Sequence, residues 1–330
     1  MRGHISRTAI GLMATAAAVT AATSVAGCRS ERLAGRDESG KTETHAAAPT
    51  LAVAAHAAGH GREEERVAEG GLAVTQGGFT LWPDAPRVRE AGVERRFTFR
   101  ILGEDGKPVR EFTPQHEHPL HLVVVRTDLK HFQHLHPQVD ADGVWSVPLR
   151  LPEAGTYRLM ADFVSRDSAR VLGTNLMAGG DFDPETLPES ADRAETDGYA
   201  IALERPADLR PGQTAPLRFR VTRSGETGES ARPVVLTPVM GARGHLVALR
   251  EGDLAYLHAH PGEAAGPADM CFDLAMPGPG RYRLFLQFGE GGAVHTAAFT
   301  LAVEPAGSNA AGDVEDRGHD VGSHAHHHSH

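Results

Sequence analysis

The chain repeats itself, and that constrains its fold more than any other feature. At an offset of 120 residues Gly78-Phe79 matches Gly198-Tyr199, Gly92 matches Gly212, and Phe97-Thr98-Phe99-Arg100-Ile101 matches Leu217-Arg218-Phe219-Arg220-Val221. At 124, Phe112-Thr113-Pro114 matches Leu236-Thr237-Pro238, and His121-Leu122-Val123 matches His245-Leu246-Val247. At that offset Phe132, His134, His136 and Pro137 also match Tyr256, His258, His260 and Pro261. At 125, Pro152, Gly155, Tyr157, Leu159 and Phe163 match Pro277, Gly280, Tyr282, Leu284 and Phe288. Length changes confined to turn-like stretches describe a duplicated domain.

Each copy reads as short strands. Residues Phe97–Ile101, then Trp145, Val147, Leu149 and Leu151, then Tyr157, Leu159, Ala161 and Phe163 alternate with period two. Glu153-Ala154-Gly155 and Gly278-Pro279-Gly280 supply turns. After residue 70 no useful apolar stripe repeats at helical spacing. Gly and Pro together are 58 of 330 residues, too many for a helical bundle. The predicted fold is all-β: two tandem antiparallel β-sandwiches over 71–178 and 198–304. Between them residues 179–197 read as an acidic, solvated linker or long loop, with seven acids and one base in 181–197.

The start of the chain gives an address. Arg2 and Arg7 precede an uncharged, Ala/Thr/Val-rich stretch that ends in Val25-Ala26-Gly27-Cys28. This resembles the lipobox of bacterial lipoproteins, which implies a signal peptide over 1–27 and lipidation of Cys28. An ordinary secretory signal or an uncleaved anchor is the alternative. Each puts the rest of the chain outside the cytoplasm, and the lipoprotein form is a membrane-anchored protein on the extracytoplasmic face. Residues 28–70 then read as a flexible tether and 305–330 as a His-rich disordered tail. The net charge of −10 argues against a nucleic-acid partner. Only two cysteines exist, so lipidation of Cys28 would leave Cys271 as a lone thiol, off the core by its phase.

Histidine is the outlier, with 20 residues unevenly placed. A hairpin turning at Thr127–Lys130 pairs residues whose numbers sum to 257, so His121 faces His136 and Val123 faces His134. In the second copy the sum is 505, and His245 faces His260 while Val247 faces His258. Directly opposed Cβ atoms lie ~4.5–5.5 Å apart. Three imidazoles so placed can converge on one ion ~2.0–2.1 Å from each nitrogen. Two metal sites are therefore predicted, His121, His134 and His136 in the first domain and His245, His258 and His260 in the second. A buried hydrogen-bonded histidine network without metal is the alternative. His116 and His118 offer a further ligand to the first site and Met240 to the second. The tail residues His319, His324, His326, His327, His328 and His330 offer loose chelation of copper, nickel or zinc.

Other chemistries fit less well. A blue-copper centre needs a Cys thiolate with two His nearby; Cys271 has Met276 near it but no His. Gly252, then His258-x-His260, resembles the opening of a cupin metal motif, but Glu263 comes early and no second cupin half is recognisable. No nucleophile elbow, phosphate loop or carboxylate pair appears. The stretch Gly244-His245-Leu246-Val247-Ala248-Leu249-Arg250-Glu251-Gly252-Asp253-Leu254-Ala255-Tyr256-Leu257-His258-Ala259-His260-Pro261 is similar to the signature of a family of secreted bacterial lipoproteins. They come mostly from high-GC organisms, have no assigned activity, and are sometimes labelled heavy-metal-binding. Phe132-Gln133-His134-Leu135-His136-Pro137 looks like its partner motif. A wider likeness to Ig-like or cupredoxin-like periplasmic copper-handling domains is at fold level only.

The sequence thus predicts a non-enzymatic, lipid-anchored binder of a transition metal, copper or zinc, that sequesters, buffers or delivers it. Ion uptake is expected to weaken as pH falls through the free-imidazole range near ~6.5. A non-catalytic Ig-like module that binds an envelope protein is the competing reading, and a cupin-type metal enzyme the third.

Overall fold

Residues 70–225, 234–259 and 261–305 are described by the structure, a computed structural model. The signal peptide, Cys28, nearly all of the tether, His260 and the tail histidines lie outside the described residues. The described residues contain strands and turns and no helix.

The first repeat holds ten strands: β1 (Thr75–Gln76), β2 (Phe79–Pro83), β3 (Arg87–Val88), β4 (Glu94–Leu102), β5 (Leu120–Arg126), β6 (Gln133–Leu135), β7 (Gln138–Val139), β8 (Trp145–Arg150), β9 (Gly155–Ser165) and β10 (Ser168–Ala178). The second holds eight: β11 (Arg193–Thr196), β12 (Tyr199–Glu204), β13 (Thr214–Arg223), β14 (Gly244–Arg250), β15 (Tyr256–Ala259), β16 (Asp269–Ala275), β17 (Gly280–Glu290) and β18 (Ala293–Val303). Each repeat is a two-sheet sandwich. The orders are β1-β2-β4-β8-β7 over β3-β10-β9-β5-β6, and β11-β12-β13-β16 over β15-β14-β17-β18. The pairing is antiparallel except that β3 runs parallel to the end of β10, so the first sandwich is not purely antiparallel as its alternation predicts. β3 covers only the end of that edge strand, and residues 71–73 bond to its middle.

Period-two alternation fills the cores. Phe97, Phe99 and Ile101 of β4 meet Leu120, Leu122 and Val124 of β5 in one core. Leu217, Phe219 and Val221 of β13 meet Leu246 and Ala248 of β14 in the other. β5 and β14 are unusual in being buried along nearly their whole length, seven of seven and six of seven residues. A strand buried on both faces needs a second layer on its outer side. That layer is the other repeat. Val123, Val125 and Met160 face Val247, Leu249 and Phe285 in a third apolar cluster between the sandwiches. Phe132 stacks on Phe285 with ring centroids 4.1 Å apart and planes 8° apart.

The acidic stretch is a docked loop that ends in a strand. Leu187 is buried in the seam. Arg281 donates to the carbonyls of Leu187 and Pro188 at 2.9 and 2.7 Å. The amide of Glu185 donates to Asp128 at 3.0 Å. Residues 193–196, counted with the linker by composition, are a strand of the second sandwich. Cys271 keeps its predicted phase, opposite to Phe272 and Leu274. It is nevertheless buried, at 3% exposed.

Candidate metal seam between the repeats

The hairpin registers place the histidines. Val123 pairs with His134 and Leu122 with Leu135, the pairs whose numbers sum to 257. Val247 pairs with His258 and Leu246 with Ala259, the sum of 505. Because Leu122, Val124, Leu246 and Ala248 face the sandwich cores, His121 and His245 face outward, away from them. Outward here means into the seam, where His121 is 2 % and His245 0 % exposed.

His121, His134 and His136 therefore face His245 and His258 across the seam instead of forming a remote site of their own. His121, His134 and His136 each bring one ring nitrogen within 4.8 Å of the others. Ring centroids within that triad are 5.0 to 5.1 Å apart. Across the seam they are hardly farther: His121 to His258 is 5.5 Å, His134 to His258 5.5 Å, and His134 to His245 5.7 Å.

The hydrogen bonds fix the tautomers. Neutral imidazole has one donor nitrogen and one acceptor. His121 Nε2–H donates to the Gln115 carbonyl at 3.1 Å, and His245 Nε2–H to the Val239 carbonyl at 3.1 Å. Carbonyls only accept, so the Nδ1 of each ring is a bare lone pair. His134 Nδ1–H donates to Gln287 Oε1 at 2.8 Å; the Gln287 amide nitrogen in turn donates to Thr296, which orients it. His258 Nδ1–H donates to Asp162 Oδ2 at 3.0 Å. These rings are left with bare Nε2 atoms. The bare nitrogens then point at each other: His121 Nδ1 lies 3.0 Å from His134 Nε2, and His245 Nδ1 lies 3.3 Å from His258 Nε2, while His136 Nε2 comes within 3.1 Å of His121 Nδ1. Nitrogens around a tetrahedral ion at ~2.0–2.1 Å sit about 3.3–3.4 Å apart, within a few tenths of an ångström of these values. A carboxylate, carbonyl or amide on the far nitrogen is the usual outer support of a metal-bound imidazole.

A proton cannot fill this role at neutral pH. Burial lowers the His121 pKa to about 4 and the His136 pKa to about 2, with neighbouring imidazoles adding to the effect. Burial also lowers His134 and drives His258 well below its usual range. Asp162 is a further sign of a cation. Burial raises its pKa, and the groups on its Oδ2 are Tyr256 Oη at 3.2 Å and the neutral His258. A half-buried carboxylate facing neutral rings is costly unless a positive charge joins it.

The additional ligands predicted from sequence divide between the halves. His116 and Glu117 occupy a two-residue turn with φ of 47° and 73°, closed by Gln115 and His118. Met240 and Gly241 occupy the matching turn, with φ of 51° and 73°. These turns meet, since a Cβ on Gly241 would lie 3.7 Å from Glu117. His118 stacks on His136 at 3.9 Å within its own repeat, whereas His116 sits 5.7 Å from His245 of the other. Met240 is half-buried at its turn and touches none of these rings in a described contact. Sequence reasoning missed Asp162, Tyr256 and Gln287. The signal was present: Asp162 and Gln287 are polar residues at matched positions of β9 and β17, and they pair with His121 and His245.

A family model described as a domain of unknown function (DUF8832) matches residues 76–178 and 194–305, one match per repeat. No curated protein matches the chain. Among solved structures, Salmonella alpha-2-macroglobulin reacted with methylamine is similar at 15% identity and a TM-score of 0.25, over 78% of this chain and 16% of that one. Escherichia coli alpha-2-macroglobulin activated by porcine elastase is similar at 16% identity and a TM-score of 0.23, over 69% of this chain and 23% of that one. Yersinia pseudotuberculosis InvD is similar at 11% identity and a TM-score of 0.23, over 69% of this chain and 58% of that one. The chain spans less than a quarter of the macroglobulins it matches.

Proposed function

The chain belongs to the family described as a domain of unknown function (DUF8832), and for this member we propose the binding of a late first-row transition metal, copper or zinc, at the seam between its two repeats. The observation that carries the reading is the pair of converging lone-pair sets. His121, His134 and His136 form one half-site, and His245 and His258 form the other, with His260 next in its motif. Imidazole nitrogen suits zinc and copper, and neither half-site offers the oxygen-rich set that magnesium or calcium takes. A cupin-type centre would need a closed barrel, whereas the four sheets are open and the histidines lie outside both sandwich cores. An interaction module would give no reason for buried nitrogens to face one another.

The role follows from the shell around the ions. Among the described residues the ligand rings are buried or half-buried and backed by carbonyl, amide and carboxylate partners, an arrangement that suits the holding of ions. Sequestration, buffering or delivery is that role. In the same reading the chain is lipidated at Cys28 and works on the extracytoplasmic face of a membrane, with the histidine tail collecting ions near it. Labelling with a radioactive fatty acid, present in the native chain and absent in Cys28→Ala, is the expected result for the anchor. For the metal, Zn(II) titration by calorimetry compares the full chain with a His121→Ala, His245→Ala double variant. The native chain is expected to take up tightly bound ions that the variant lacks; equal uptake by both would refute the seam as the site.

A further inference from the structure

His121 and His134 of one half-site match His245 and His258 of the other, and the two pairs differ in what holds them. His258 Nδ1–H meets the Asp162 carboxylate across the seam at 3.0 Å. At the matched position His134 Nδ1–H meets the Gln287 amide oxygen at 2.8 Å. Each contact crosses from one repeat to the other, so neither half-site is supported by its own repeat alone. Asp162 is held in turn by the Tyr256 hydroxyl at 3.2 Å, whereas Gln287 is held by Thr296 at 3.3 Å.

We propose that Asp162 makes the two half-sites unequal and sets the order of loading: a first dication enters the half formed by His245 and His258, and a second binds more weakly among His121, His134 and His136. The inference rests on the metal reading above. A carboxylate accepting an imidazole N–H draws the proton towards itself and makes the opposite nitrogen a stronger donor to a metal; a neutral amide oxygen does this less. Such outer partners typically change metal affinity by 10–100-fold. Charge acts in the same direction. One carboxylate opposes the charge of the first dication, so the second enters a seam that is already net positive. Across the seam the rings lie 5.5 to 6.3 Å apart, so the ions would repel through a poorly screened medium. Asp162 is thus a positioning residue: it touches a ligand ring and sets that ring's donor strength.

The test is a Zn(II) titration by calorimetry on the full chain with its six tail histidines replaced by Gln. Two separated uptake steps are expected. Asp162→Asn should weaken the first step by about 10–100-fold and draw the two together. Asp162→Glu should restore part of the separation. Gln287→Glu should tighten the second step, a gain that damage to the fold cannot produce. Two steps indifferent to both Asp162→Asn and Gln287→Glu would overturn the proposal and leave the metal reading standing. So would a single step of one ion. Uptake no greater than that of the His121→Ala, His245→Ala variant would instead remove the metal reading beneath it.

Discussion

An imidazole has one proton for two nitrogens, and at four rings of this seam an acceptor on the far side decides where it goes. That choice strips the near nitrogens of protons and aims their lone pairs together, at 3.0 Å in one half and 3.3 Å in the other. Metal-free protein should show the consequence in its pH dependence. The folded pKa of His121 is about 4, against ~6.5 in an unfolded chain. Between these values the unfolded chain binds a proton that the folded ring refuses, so unfolding is favoured as pH falls. The stability is fully present above ~6.5 and lost progressively towards the folded value, by about 3 kcal/mol for this residue. Urea midpoints in the presence of chelator should drop between pH 7 and pH 5; a flat profile would contradict the buried, neutral ring. For the same reason ion uptake should persist below the free-imidazole range, where the residue types alone predict it to fail. At this scale the ligating residues were legible as matched histidines. The tautomers were not, because the Gln115 and Val239 carbonyls reach the rings only through a turn geometry that a residue list does not contain.

At the scale of elements, β5 and β14 each carry two patterns at once. Even-numbered residues close a sandwich core, and odd-numbered residues of β5 and β14 close the seam. The hairpin registers were legible because loop centre and alternation together leave one pairing that keeps the apolar face inward. The second layer was not, since His-Leu-Val-Val-Val reads equally as a strand under a helix, a sheet or a partner chain. Phe285 tests the seam as a packing element. It is 5% exposed and stacks on Phe132. Its truncation to Ala should cost about 3–5 kcal/mol in urea unfolding, although no residue of its own sandwich core is touched. A change below about 1 kcal/mol would mean that the repeats are not packed through this face.

At the scale of the molecule, one seam joins packing, polar support and ligation. Residues 70–73 strap it: the Gly70 carbonyl accepts from Tyr256 of the second repeat, and Gly71 donates to Val171 of the first, both at 3.0 Å. The strap passes so close that a Cβ on Gly173 would fall 1.8 Å from the Gly71 carbonyl oxygen, which explains a glycine in the middle of β10. Since one ligand ring of each half, His134 and His258, is held from the other repeat, an ion bound there stabilises the assembled pair over any separated state. Zinc at about a hundred times its dissociation constant should add about 2.7 kcal/mol and raise the thermal midpoint by several degrees. The His121→Ala, His245→Ala variant should show no such shift, and an equal shift in the variant would place the ion elsewhere.

Duplication, strand alternation, the two hairpin registers and the six matched histidines were all determined by the order of residues, because period-two burial and turn length act over a few positions. That the histidines of the two repeats meet in one seam was decided by the tertiary structure alone. The contacts that make it so, His134 to Gln287 and His258 to Asp162, span 153 and 96 residues. They arise only when two outer sheet faces have more to gain from burying each other than from facing water.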